Sequence, residues 1–194
     1  MSPTHVESVV CLTRKNTVET KQNFRKAQQG DKEHIFSLYK KAPSGEFCVW
    51  NDFYPSMTEI EHDLETSNLY VMTDNRKIIG AISIVPENEL DDFDCWSNKD
   101  SKEIARVVID TSYQGQGLSL KMVQSIESIL CSTGCKAIHL SVAKSNIPAY
   151  KTYMKAGFNV VGETHMYGNV YYLMEKAIDT NSLPKRITDD CVAL

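Results

Sequence analysis

Val107-Val-Ile-Asp-Thr-Ser-Tyr-Gln-Gly-Gln-Gly-Leu-Ser119 carries the chain from one kind of structure into another. Before the turn, Glu103–Ile109 is a largely apolar run that reads as a strand. After it, Leu118–Cys131 places Met122, Val123, Ile126 and Leu130 at helical spacing, and Gly134 marks the stop. Between the two, Gly115 and Gly117 permit backbone geometry that a side chain would obstruct. A glycine turn feeding a helix start gathers unpaired amides and the positive end of a helix dipole, which suits a pyrophosphate. The spacing excludes two familiar phosphate loops. The Walker pattern ends in Gly-Lys-Ser/Thr after four intervening residues, and the Gly-x-Gly-x-x-Gly pattern needs a glycine where this chain has Leu120. Taken alone, the glycine pair fits a plain tight turn better.

Outward from this turn the elements alternate. Asn23–Gln28 reads as a short strand, and Asp31 caps a helix with Ile35, Leu38 and Tyr39 on one face. Ser56-Met-Thr-Glu59 is a capping-box pattern opening a second helix, with Met57, Ile60 and Leu64 inward. Leu69–Thr73 and Ile78–Val85 flank the turn Asp74-Asn75-Arg76 as a hairpin. Beyond the glycine turn, Ala137–Val142 is a strand and Ile147–Lys155 a helix stopped by Gly157. Phe158–Gly162 and Val170–Lys176 are the last strands. The order β-α-α-β-β-β-α-β-α-β-β predicts a single α/β domain over residues 21–178 with a mixed sheet. Residues 1–20 read as a loose polar leader and 179–194 as a tail.

Composition bounds the function classes. The 194 residues carry a net charge of −4, with 42% apolar and 24% charged residues, which are globular values. A weakly acidic chain is a poor binder of nucleic acid or anionic membrane, both of which need a basic surface. No apolar run is long enough for a membrane-spanning helix, and the first residues lack the basic-then-apolar pattern of a secretory signal. Cys11, Cys48, Cys95, Cys131, Cys135 and Cys191 show no zinc spacing, and no metal site is expected. They read as reduced thiols of a cytoplasmic protein.

One further pattern fits the turn. Gln114-x-x-Gly117-x-Ser119 resembles the Gln/Arg-x-x-Gly-x-Gly/Ala signature of the Gcn5-related N-acetyltransferases (GNAT), with serine in place of the usual last small residue. A second block, Asn146-Ile-Pro-Ala149-Tyr-Lys-Thr-Tyr153-Met-Lys-Ala-Gly157-Phe158, resembles that family's next motif and follows at the right distance. The resemblance covers about residues 22 to 178 and is strongest from 103 to 176. It implies a mixed central sheet splayed between two parallel strands, with helices on both faces. It also implies acetyl-CoA as co-substrate. Val107, Val108 and Ile109 would pair with the pantetheine arm, while Gln114, Gly115, Gln116, Gly117, Leu118 and Ser119 would hold the pyrophosphate. Asn146 would contact the cofactor near the splay, and Tyr153 would lie close to the thioester sulfur. Dimers are common in the family, so a homodimer is compatible with it.

Acetyl transfer to an amine sets three chemical demands. A lysine-like amine, with a pKa of about 10.4, must lose a proton. The tetrahedral oxyanion needs a donor, which a strand amide at Val107–Ile109 supplies. The leaving thiolate needs an acid, and a phenol is protonated at neutral pH, so Tyr153 is the candidate. Glu103 reads either as a solvated strand end or, through water, as the base. Ribosomal-protein N-terminal acetyltransferases of the family carry a glutamate on the next strand where this chain has Ser141.

The acceptor is expected to be a small-molecule primary amine. A protein amine, or a non-catalytic acyl-CoA-binding module, remains as the alternative. Trp50, Phe53 and Tyr54 lie where the family shapes its acceptor pocket, and they read either as that pocket or as a hydrophobic hinge. Strand alternation places Arg106 on the face of Ile104 and Val108, where it needs an ion-pair partner. His139 reads as a packed, hydrogen-bonded histidine. His34, His62 and His165 show no ligand spacing. The acidic run Glu87, Glu89, Asp91, Asp92 and Asp94 reads as a solvated loop.

Overall fold

The computed structural model describes residues 22–85 and 90–179. The leader at 1–20, the tail from residue 180 and the acidic residues Glu87 and Glu89 lie outside the described residues. The elements follow the expected order. They are β1 (Gln22–Lys26), α1 (Lys32–Lys41), α2 (Met57–Glu65), β2 (Leu69–Asp74), β3 (Lys77–Val85), β4 (Ser101–Ile109), α3 (Leu118–Ser132), β5 (Ala137–Ala143), α4 (Ile147–Lys155), β6 (Asn159–Met166) and β7 (Asn169–Ala177).

Local chemistry sets the ends of these elements. At the start of α2, Ser56 Oγ accepts from the Thr58 amide at 3.1 Å, and the Ser56 amide donates to Glu59 Oε2 at 2.7 Å. This satisfies amides that a helix start leaves without partners. The β2–β3 turn holds Asn75 and Arg76 at φ 47° and 73°, the left-handed geometry that a two-residue hairpin turn requires.

The seven strands form one sheet in the order β1-β2-β3-β4-β5-β7-β6. Every neighbouring pair is antiparallel except β4–β5. That parallel pair is short, joining Ser101, Lys102 and Glu103 to Ala137, Ile138 and His139. Beyond Glu103 and His139 the strands part, β4 staying with β3 and β5 with β7. The sheet therefore opens into a V.

Both faces are covered. One core holds Ile82, Ile104, Met122, Ile126, Leu140 and Phe158 under α3 and α4. The other holds Ile35, Tyr39, Ile60, Val71, Ala81 and Val108 under α1 and α2. A smaller cluster of Leu90, Trp96 and Leu173 continues this second face.

The alternation expected along β4 does not hold. Ala105 pairs with Ser83 and Val108 with Ala81, so Arg106 and Val107 stand opposite the single residue Ile82. This is a β-bulge, with Arg106 at φ 53°. The extra residue reverses the parity of the strand. Ile104 enters the α3/α4 core while Val108 enters the α1/α2 core.

Candidate active site

The turn from β4 to α3 is built by its own backbone. Asp110 Oδ1 accepts from the Ser112 amide at 3.0 Å, and Oδ2 meets Lys77 Nζ at 3.1 Å. The Ser112 amide and the lysine outweigh burial and hold the Asp110 carboxyl below its usual range. Gln114 Nε2 donates to the Ile109 carbonyl at 3.4 Å. Gly115 and Gly117 lie at φ 75° and 74°, and a Cβ at either would meet no protein atom within 4 Å. Gly117 is the N-cap of α3 and supplies no capping side chain. The first amides of α3 thus face outward past bare glycine, as an anion cradle requires. Leu118 is core-buried and offers the cradle only its backbone.

The cleft walls are unequal. Val107 and Ile109 pack against the α3/α4 core, whereas Val108 faces the other way. Asn146 Oδ1 caps α4 by accepting from the Ala149 amide at 3.2 Å. Tyr153, on the same helix, is 8% exposed and packs edge-to-face on Phe158 at 5.8 Å. Burial pushes its phenol well above the ordinary value, so it stays protonated throughout the neutral range. Its hydroxyl has no hydrogen-bond partner among the described residues.

Glu103 occupies the apex of the V, in the last pair that joins β4 to β5. It is only 6% exposed, which excludes the solvated strand end. Its neighbour Ile104 points into the α3/α4 core, so Glu103 lies on the opposite face.

On that face the aromatic loop meets β4. Tyr39 and Trp50 stack edge to face at 5.5 Å, and Trp50 and Tyr54 at 6.4 Å. Tyr54 Oη accepts from Arg106 Nη1 at 3.4 Å. Arg106 then forks onto Asp63, with Nε to Oδ2 at 3.0 Å and Nη2 to Oδ1 at 2.8 Å. Ser83 Oγ donates to the same carboxylate at 2.6 Å. Burial alone would lower the guanidinium's pKa, but Asp63 and Tyr54 outweigh it and hold it above its usual value. The ion pair expected for Arg106 is therefore present and buried. Burial, and after it Tyr167, Tyr54 and the Cys48 thiol, raise the phenol of Tyr171 on β7. Phe53 stands apart, 87% exposed, and takes no part in the aromatic stack.

Sequence reasoning missed Asp63. Asp63 follows Ile60 by three residues on the inward face of α2, and Arg106's need for a counter-charge was the available signal. Among the described residues no cluster of three or more His, Cys, Asp or Glu could hold a metal ion, and no helix is long and apolar enough to cross a membrane.

Comparison with known proteins places this geometry. The chain is 37% identical over 71 residues to the spermine/spermidine N(1)-acetyltransferase of Bacillus subtilis (strain 168), covering 36% of this chain and 47% of that protein. It spans about half the length of the curated relatives it matches. The ribosomal-protein-S18-alanine N-acetyltransferase of Escherichia coli shares the fold at TM-score 0.64 and 16% identity, over 89% of this chain and 99% of that one. The yncA protein of Salmonella typhimurium, solved with its cofactor acetyl-CoA, does so at TM-score 0.67 and 18% identity, over 86% and 99%. Residues 32–158, from α1 through the glycine turn and the Tyr153 helix, match the family model of the GNAT acetyltransferases, and the chain belongs to that family.

Proposed function

We propose that the protein is an acetyl-CoA-dependent N-acetyltransferase acting on the primary amine of a small molecule, by direct attack in a ternary complex. The observation that carries this is the gap between β4 and β5. Glu103 stands at its apex on the α1/α2 face, while Tyr153 belongs to the core on the α3/α4 face. Base and acid on opposite faces of a sheet can serve one reaction only where the sheet is open.

The residues present fit the co-substrate. The cradle at Gln114–Ser119 offers amides to a pyrophosphate, and the edge of β4 at Val107–Ile109 offers backbone to an extended arm. When bound, acetyl-CoA supplies an activated acyl carbon. Glu103, through water, takes a proton from the incoming ammonium. A strand amide at Val107–Ile109 faces the developing oxyanion. Tyr153 donates its hydroxyl hydrogen to the departing sulfur. Trp50 and Tyr54 form an aromatic wall that favours a cationic chain, and Arg106 does not repel it because Asp63 already neutralises that charge. The matched relatives include a spermine/spermidine acetyltransferase, so polyamines are the first acceptors to test.

Calorimetric titration with acetyl-CoA, followed by thiol release against a panel of amines, tests the reading. Binding with amine-dependent release supports it, and absence of binding removes it. Gly117→Val should weaken acetyl-CoA binding on the order of tenfold or more, because β-branched residues resist φ near 74°. Its side chain would also project over the cradle. Unchanged affinity by calorimetry would place the pyrophosphate elsewhere.

A further inference from the structure

The face bearing Glu103 also carries a run of buried polar groups that the reaction above leaves unused. Ser101 Oγ lies 3.1 Å from His139 Nδ1, and His139 Nε2 lies 2.9 Å from Glu175 Oε2. Glu175 accepts a short hydrogen bond from Ser97 Oγ through Oε1. Through Oε2 it also accepts from the amides of Ser97 and Asn98 at 3.1 and 3.3 Å. Ser101, His139 and Glu175 are all buried, whereas Ser97 is exposed. The run therefore leads from the apex of the V to the surface. Trp96 covers the imidazole, with ring centroids 3.9 Å apart and planes within 13°.

Glu103 stands at the inner end. It is the register partner of His139, and both lie on one face of strands about 4.8 Å apart. His139 Nε2 faces a carboxylate and so carries hydrogen. In the neutral ring Nδ1 accepts from Ser101 and is the position open to a proton. Burial alone would push the Glu175 carboxyl up, but Ser97, His139 and the Asn98 amide hold it below its usual range. Cys95 is raised chiefly by burial and also by Glu175 and Asp94, and Arg106, on the same face, is engaged by Asp63.

Proton balance gives the run a task. An ammonium and a thioester yield an amide, a thiol and one proton. The C–N bond forms and the C–S bond breaks. Of the two protons that leave nitrogen, one ends on sulfur and the other must reach water. A carboxylate as enclosed as Glu103 has little direct route to bulk solvent.

We propose that Ser101, His139 and Glu175 conduct that proton from Glu103 to the exposed Ser97. His139 receives it at Nδ1 by way of the Ser101 hydroxyl, the Nε2 proton passes to Glu175, and Ser97 hands it to water. These are positioning residues that act through Glu103. The proposal rests on the acetyl-transfer reading.

The test is the pH profile of kcat for thiol release, comparing the unmutated enzyme with His139→Gln and Ser97→Ala. Acetyl-CoA affinity reports intact folding. His139→Gln should lower kcat roughly 10²-fold, the lower end of a general-base contribution, with KM unchanged. The rise of kcat with pH should vanish. Ser97→Ala, at the surface, should lower kcat several-fold and recover with added small buffers. It decides the matter should His139→Gln lose acetyl-CoA binding. Variant profiles that superimpose on an active unmutated enzyme overturn the relay alone. An unmutated enzyme that releases no thiol with any amine overturns both readings.

Discussion

Alanine at Asp63 is expected to cost about 3–5 kcal/mol of unfolding free energy, the range for stripping one partner from a buried ion pair. Asp63 is 1% exposed and accepts from Arg106 Nε, Arg106 Nη2 and Ser83 Oγ. Its loss leaves a guanidinium and a hydroxyl facing one another beneath α2. The guanidinium has no easy escape, because the bulge fixes the Arg106 backbone at φ 53° and aims the side chain at α2. Urea unfolding measures the cost. The double variant Asp63→Leu/Arg106→Met should recover most of it, since apolar replacement of a buried pair is often neutral. A single-variant cost within about 1 kcal/mol, the value of a surface pair, would mean that Arg106 swings into water.

Tyr153→Phe should lower kcat by roughly 10²–10⁴-fold, the contribution of a positioned general acid. Acetyl-CoA affinity should change little, because phenylalanine keeps the ring that packs on Phe158. Thiol release and calorimetry on the same preparation separate the two quantities. Because burial raises the phenol, the unmutated enzyme should show no falling limb from this group at or below pH ~10, where an ordinary phenol ionises. Unchanged kcat in the variant would remove the acid assignment.

The features legible in the sequence were those written within a few residues of one another. Ser56 and Glu59 cap α2 as their spacing implied, and Asn146 caps α4. Gly115 and Gly117 adopt the left-handed backbone that motivated their reading. What escaped depends on partners far along the chain. An inserted residue at Arg106–Val107 leaves no mark on composition, yet it sends Ile104 and Val108 to opposite cores. Glu103 sits near the start of its strand, a place where water is the default neighbour. The pairing with β5 that encloses it joins residues more than thirty positions apart. Phe53 lies in the same aromatic loop as Trp50 and Tyr54 yet points outward, which local pattern does not distinguish.

The brevity of the β4–β5 junction has an architectural consequence. The spatial order of the strands keeps the first four as one antiparallel block in chain order and the last three as another, in the order β5-β7-β6. Three residue pairs stitch these blocks together along the sheet, and the α3/α4 core clamps them from one side. The sheet is thus at its narrowest join where the proposed reaction takes place. A ligand lying along both edges of the seam would act as a staple, joining in its bound state two halves that the backbone alone holds by a short hem.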